Sequence, residues 1–216
     1  MAPVGPVITL IRHAQGWHNY YNDWSILDPT LTDLGERQCL AVQRNFPYHN
    51  KITHILASPL KRTIQTAVNC FKPAIDRGIR VQPLPEVIEI GPEECNQGHN
   101  PEDIIEWARS TFGGDFLDEH MFSLMPSDWS DNSTGLYEYR MYEYTESKLR
   151  LRAEIARQII RRTAIQAGDR AHIVVVSHSQ FLPYLTQEQG PDWGVAEWRT
   201  YTIASDNAAT MTRIHL

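Results

Sequence analysis

Apolar and polar positions alternate along the chain in two rhythms, one that suits strands and one that suits helices. Residues 7–11 form a short, partly β-branched apolar run that stops at Arg12, as a buried central strand would. Thr32 is placed to cap a helix, with Asp33 and Glu36 near its positive end. Leu40, Val42 and Phe46 supply that helix with apolar contacts before Pro47 stops it. Residues 53–57 read as a second strand, and Ser58-Pro59 as a helix start, since Ser caps and Pro suits the first turn. The helix that follows carries a stripe of Leu60, Ile64, Ala67 and Phe71.

Residues 79–84 give a third strand, and Asn100-Pro101-Glu102-Asp103 opens another helix. Periodicity is lost between about Ser110 and Tyr144, where Gly113-Gly114 and a polar run over 127–135 break the pattern. The aromatics there (Phe112, Phe116, Phe122, Trp129, Tyr137, Tyr139) read as a packed mini-core of a lid-like insertion at about 92–145. An amphipathic helix is expected over 146–167, with Leu149, Ala153, Ala156, Ile160 and Ala164 on one face and Gly168 at its end. Residues 171–176 are almost continuously apolar and β-branched, which suits a strand covered on both faces. Residues 201–203 and 208–214 close the pattern as strands around Asp206-Asn207. Strands alternating with helices predict an α/β fold: a three-layer, doubly wound, mostly parallel sheet flanked by helices. The 216 residues are expected to form one domain.

Composition narrows the possible roles. The formal net charge is −6, from 20 Lys+Arg against 26 Asp+Glu, without the basic excess of a nucleic-acid binder. The one basic cluster, between Lys148 and Arg162, alternates with apolar residues at helical spacing and reads as a solvated helix face. No run is long and apolar enough for a signal peptide or a membrane span. Cys39, Cys70 and Cys95 are odd in number and widely spaced, so no disulfide framework is expected. These features suit a cytoplasmic protein with a small-molecule substrate and no nucleic-acid or membrane partner; oligomeric state stays open.

The candidate chemistry lies at strand ends. In open α/β sheets the carboxyl ends of strands form the ligand crevice. Arg12-His13 follows the first strand, Arg62 lies one turn into the helix after the second, Glu86 and Glu89 follow the third, and His178 follows residues 174–176. Two arginines can hold a phosphate and offset charge that develops during its transfer. A neutral imidazole is a competent nucleophile, a second histidine can donate to phosphoryl oxygens if protonated, and a carboxylic acid can protonate a departing oxygen. His13, His18 and His178 could also be imagined around zinc, but the chain has no His-Glu-x-x-His or Cys-x-x-Cys pattern and the arginines would repel a cation. No Gly-x-Ser-x-Gly elbow is present either.

The segment Leu10-Ile11-Arg12-His13-Ala14-Gln15-Gly16-Trp17-His18-Asn19 resembles the Arg-His-Gly signature of the histidine phosphatase superfamily, the phosphoglycerate-mutase-like family. Leu31-Thr32-Asp33-Leu34-Gly35-Glu36-Arg37-Gln38 is similar to its Leu-Thr-x-x-Gly-x-x-Gln. Ser58-Pro59-Leu60-Lys61-Arg62-Thr63-Ile64-Gln65-Thr66-Ala67 is similar to its Ser-x-Leu-x-Arg-x-x-x-Thr-Ala, and Val175-Val176-Ser177-His178 to the strand that ends in its second histidine. The resemblance implies that His13 is the phosphorylated nucleophile. Arg12, Asn19, Arg62 and His178 would bind phosphate. Glu86, in Leu84-Pro85-Glu86, would be the proton donor, with Glu89 in reserve. It implies no metal and no cofactor.

The departures are Ala14 for Gly, Gln15 for a frequent Glu, and Ser179-Gln180 for Gly-Gly after the second histidine. They spare the phosphate-handling groups and alter the pocket rim. The acid segment also lacks the Trp-Glu-Gly ending common in the family's mutases and bacterial phosphatases. The expected activity is therefore hydrolysis of a small phosphomonoester, with a phosphomutase of the same fold, or a catalytically altered relative with a binding or non-phosphate role, as alternatives. Specificity is expected in residues 110–144 and in Trp17, His18 and Tyr20 at the pocket mouth.

Overall fold

The structure is a computed structural model and describes residues 5–130 and 145–215. Its six-stranded sheet consists of β1 (Val7–Arg12), β2 (His54–Ala57), β3 (Val81–Pro83), β4 (His172–Ser177), β5 (Trp198–Ile203) and β6 (Met211–Ile214). The strand order is β3-β2-β4-β1-β5-β6. The pairs β3/β2, β2/β4 and β4/β1 are parallel, whereas the pairs β1/β5 and β5/β6 on the far side are antiparallel. The helices are α1 (Trp17–Tyr21), α2 (Asp33–Asn45), α3 (Lys61–Cys70), α4 (Lys72–Ile75), α5 (Pro101–Phe112), α6 (Glu119–Ser123), α7 (Glu146–Ala167) and α8 (Leu182–Thr186).

Strand periodicity sorts the core into two layers. Ile11, Ile55, Ala57, Val174 and Val176 face the layer that holds α2, α3 and α5. Their neighbours Ile8, Leu10, Leu56, Ile173 and Val175 face α7 and α8. Each Val, Leu or Ile among them, fully buried, contributes about 1.5–3 kcal/mol. The five apolar residues expected on one face of α7 are all buried, and Gly168 ends the helix with φ 84°. The α3 stripe of Leu60, Ile64, Ala67 and Phe71 is likewise buried, and so are Arg62, Thr63, Gln65 and Thr66 on its other faces. That helix is enclosed rather than amphipathic.

Four expectations need correction. Leu40 is exposed, because α2 turns Cys39 and Val42 inward instead. Ser58 does not cap α3, which begins at Lys61 after Leu60. Phe122 and Trp129 do not form a separate mini-core but join the layer under α2 and α3; Tyr137 and Tyr139 lie outside the described residues. The basic face of α7 is only partly solvated, since Arg152 and Arg157 are buried. Arg152 donates from Nη2 to the Ile88 carbonyl at 3.0 Å and lies over the Phe181 ring. Arg157 donates to the carbonyls of Tyr184, Leu185 and Ala208.

The chain between β3 and α7 covers the sheet edge. Val81 N–H donates to the Phe116 carbonyl at 2.9 Å and Asp118 N–H to the Val81 carbonyl at 2.9 Å, so β3 is not left as an open edge. No helix among the described residues is long and apolar enough to cross a membrane.

Arg157→Ala removes donors from three carbonyls around the end of α8. Urea unfolding should show a loss of about 1–3 kcal/mol with an unchanged m-value.

Candidate active site

β1 and β4 lie side by side in register, Arg12 opposite Ser177, so the residues that follow them, His13 and His178, emerge together at the carboxyl edge of the sheet. Their ring centroids are 5.1 Å apart. Backbone bonds fix both strand ends: His13 N–H donates to the Ser177 carbonyl at 2.9 Å and Ala196 N–H to the His13 carbonyl at 3.2 Å. Beyond His13 the chain turns away through residues 14–31, held by backbone bonds such as Trp17 N–H to the Thr30 carbonyl at 3.1 Å and, next to His13 and at the return, by side-chain acceptors. Ala14 N–H donates to Thr66 Oγ1 at 3.0 Å, Gln15 N–H to Gln38 Oε1 at 2.9 Å, and Leu31 N–H to Gln65 Oε1 at 2.7 Å. Gly35 lets the N-terminus of α2 come this close, since a Cβ there would sit 2.2 Å from the Gln15 carbonyl oxygen. Thr32 caps α2 by accepting from Gly35 N–H at 3.0 Å, as its position predicts.

The partners fix the state of each ring. His13 Nδ1 lies 2.7 Å from the Ala14 carbonyl, which can only accept, so Nδ1 carries the proton and Nε2 the lone pair. Arg62 Nη2 lies 3.2 Å from His178 Nδ1 and can only donate, so His178 carries its proton on Nε2 and gives it to Ser58 Oγ at 2.9 Å. Burial, followed by the charges of Arg62 and Arg12, holds His13 well below the ordinary histidine value. His178 is held down by burial, Arg62 and His13. Both rings are therefore neutral at pH 7, so the positive charge of the pocket comes from Arg12 and Arg62 and not from a protonated His178.

Arg62 is almost completely buried and is the second residue of α3, in its first turn rather than one turn in as expected from the sequence. It donates to the Cys95 carbonyl and, at 3.0 Å, to Asn96 Oδ1. Arg12 donates to the Trp193 carbonyl at 2.6 Å. The Nε of each arginine is buried without a partner, and so is His18 Nδ1. Asn19 commits Oδ1 to Gly16 N–H at 3.1 Å, which leaves its amide nitrogen to donate. Arg12, His13, His18, Asn19 and Arg62 line one cavity of about 230 Å³, together, among the described residues, with Trp24, Glu89, Ile90, Glu93, Cys95, Asn96, Ser179 and Gln180. That is smaller than the roughly 300–1,000 Å³ of drug-sized sites and suits a compact ligand. His178 is not part of that lining but lies fully buried against Arg62 and His13.

Of the expected site residues, Arg12, His13, Asn19, Arg62 and His178 are brought together. Glu86 is not: it stands half-buried beside Arg152 and does not line the cavity. Glu89 does. The segment is pinned by Leu84 N–H to the Ala57 carbonyl, Ser177 Oγ to the Val87 carbonyl and Arg152 to the Ile88 carbonyl. After the 3₁₀ turn Pro85–Val87, Ile88 is extended and delivers Glu89 to the cavity. Glu89 accepts from Ile90 N–H at 3.0 Å, Phe181 N–H at 3.1 Å and Gln180 N–H at 3.3 Å. Burial nevertheless outweighs these donors and both arginines and raises its pKa.

Sequence reading missed Cys95, Asn96 and Glu93, for which no periodicity or spacing signal exists, and Ser58 as the partner of His178. It also missed Asp28, which is buried, accepts from Lys61 N–H at 2.9 Å and is raised by burial to about 7.

The model of the histidine phosphatase superfamily (branch 1) matches residues 8–215. A stretch of 75 residues is 39% identical to phosphoglycerate mutase-like protein 1 of Arabidopsis thaliana, covering 30% of this chain and 27% of that protein. The chain thus matches well under two thirds of that curated relative's length. Among solved structures, the ecdysone phosphate phosphatase from Bombix mori, in complex with tungstate, superposes with a TM-score of 0.68 at 14% identity, over 98% of this chain and 92% of that one. A mycobacterial glucosyl-3-phosphoglycerate phosphatase gives 0.58 at 14% identity, over 98% of each chain. At these identities the likeness is one of fold.

Thr66→Val keeps the shape but leaves Ala14 N–H without its acceptor, so stability should fall by about 1–3 kcal/mol and the Ala14 amide should exchange faster with deuterium. Asp28 binds its proton more tightly folded than unfolded, so its contribution is complete below about 3.8 and is lost as pH rises to about 7. Asp28→Asn should therefore stabilise the protein by about 1–4 kcal/mol at pH 8 and hardly at all at pH 4.

Proposed function

This chain belongs to the histidine phosphatase superfamily, and on that premise we propose that it is a phosphatase that hydrolyses a small phosphomonoester through a phosphohistidine on His13. The observation that carries the reading is the composition of one small cavity. It holds a neutral His13 with its lone pair on Nε2, beside two arginines that each keep a buried Nε–H without a protein partner.

In the proposed reaction the phosphoryl group is held by Arg12, Arg62 and Asn19, with His178 alongside. His13 Nε2 attacks phosphorus, the ester P–O bond breaks, and Glu89 gives its proton to the departing oxygen. The ring becomes positively charged, and its Nδ1–H bond to the Ala14 carbonyl strengthens as it does. Water then attacks the phosphohistidine, Glu89 accepts the proton, and inorganic phosphate leaves with His13 restored. A bound phosphate dianion opposes the arginine charges that depress His178 and so raises its proton affinity during the cycle. The arginines supply the positive charge that a metal ion would otherwise bring. Glu89 takes the role first expected for Glu86 because its carboxyl is the one in the cavity and its raised pKa keeps it protonated to higher pH.

Purified protein is expected to hydrolyse 4-nitrophenyl phosphate in EDTA, and His13→Ala to abolish turnover; unchanged activity in that variant would overturn the assignment. On an alkyl phosphate, Glu89→Gln should lower kcat about 10²–10⁴-fold while Glu86→Gln stays within a fewfold of the parent. Since Glu89 acts in its acid form, kcat/KM should fall as pH rises through its raised pKa, and Glu89→Gln should lack that limb. The reverse pattern in the two variants would return the role to Glu86.

A further inference from the structure

The cavity extends from the phosphate-handling groups to a wall of aromatic rings. His18 is almost completely buried, with its centroid 5.6 Å from that of His13. Trp24 follows, 5.6 Å from His18 at an interplanar angle of 59°. Both line the cavity, yet Trp24 is 46% exposed, so its indole is partly uncovered at the mouth. The wall is held in place. A Cβ on Gly16 would lie 2.8 Å from the His18 ring, so the absence of a side chain there lets His18 fold back. The Trp24 carbonyl accepts from Cys95 N–H at 3.1 Å, which ties the wall to the segment that anchors Arg62. Burial, then Arg62 and Arg12, lowers His18 to about 3, so its ring is a neutral surface.

Charge limits what can lie against that wall. Among the described residues, the cations that line the cavity are Arg12 and Arg62, and its acidic residues are Glu89 and Glu93. Glu93 is fixed by Asn96 Nδ2, which donates to its Oε2 at 3.2 Å. One phosphoryl group takes up both arginines. A second anionic group on the substrate would meet Glu93 and find no further cation among the described residues of the lining.

We propose that the His18–Trp24 wall is the leaving-group subsite, and that it selects phosphomonoesters whose leaving group carries a planar aromatic ring and no second anion. This rests on the phosphatase reading above. Trp24 offers its face to the ring, and Glu93 excludes carboxylated or bisphosphorylated esters.

The test compares 2-naphthylmethyl phosphate, glycerol 3-phosphate and 3-phosphoglycerate on the full chain. All three leave as alcohols, so preference between them is not set by an acidic aryl leaving group. The parent is expected to favour 2-naphthylmethyl phosphate over glycerol 3-phosphate by about tenfold or more in kcat/KM, with 3-phosphoglycerate poorest. Trp24→Ala should cut the naphthylmethyl-to-glycerol ratio about tenfold, mainly through KM, and Trp24→Phe should retain most of it. Glu93→Gln should raise 3-phosphoglycerate relative to glycerol 3-phosphate by a fewfold. Because each readout is a ratio within one protein, a general loss of folded enzyme cancels. Ratios unchanged in Trp24→Ala, or a parent that prefers 3-phosphoglycerate, would overturn the subsite while leaving the phosphatase intact. A folded parent that hydrolyses none of the three and no 4-nitrophenyl phosphate would overturn the phosphatase reading and this subsite with it.

Discussion

Two guanidinium groups share one cavity, and the rest of the site is arranged around keeping them there. Arg62 is almost fully buried and Arg12 half-buried, and their contacts are mostly carbonyl oxygens and an amide rather than carboxylates. Glu89 is the acidic residue whose charge both arginines feel. Charges buried in this way are costly unless their hydrogens find acceptors. The segment with Cys95 and Asn96 provides them on one side and the loop with Trp193 on the other. Burial first, and then the charge of Arg62 and its neighbours, holds His13, His18 and His178 below the ordinary histidine value, so the arginines also set the charge state of the rings around them.

The polar residues of the chain motifs take their meaning from this arrangement. Gln38, Gln65 and Thr66 do not reach the cavity; they accept backbone N–H groups of the segment that leads away from His13. They act as positioning residues, and each satisfies a donor that burial would otherwise orphan. Ser58 performs the same service for the His178 ring.

Much of this was legible in the sequence, for identifiable reasons. Strands buried on both faces leave an unbroken β-branched run, so β1 and β4, and with them the placement of His13 and His178, could be read directly. Where two roles compete for one residue type, reading failed. Ser before Pro looks like a cap, but at Ser58 a histidine more than a hundred residues away claims the hydroxyl. Arginines at helical spacing look solvated, but Arg152 and Arg157 find carbonyls on neighbouring elements. Glu86 and Glu89 are told apart only by how a short 3₁₀ turn hands the chain on to Ile88. The wall of Cys95, Asn96 and Glu93 is set by tertiary contacts and leaves no local pattern.

The position of β1 in the sheet bears on how the molecule assembles. The first strand of the chain is interior, with β4 on one side and antiparallel β5 on the other, so its partners are residues 172–177 and 198–202. Contacts this distant in sequence make loop closure the slow part of folding. During synthesis the strand that leads to His13 must therefore wait, unpaired, until residues 172–202 have left the ribosome. Its apolar run is open to misassociation for all of that interval.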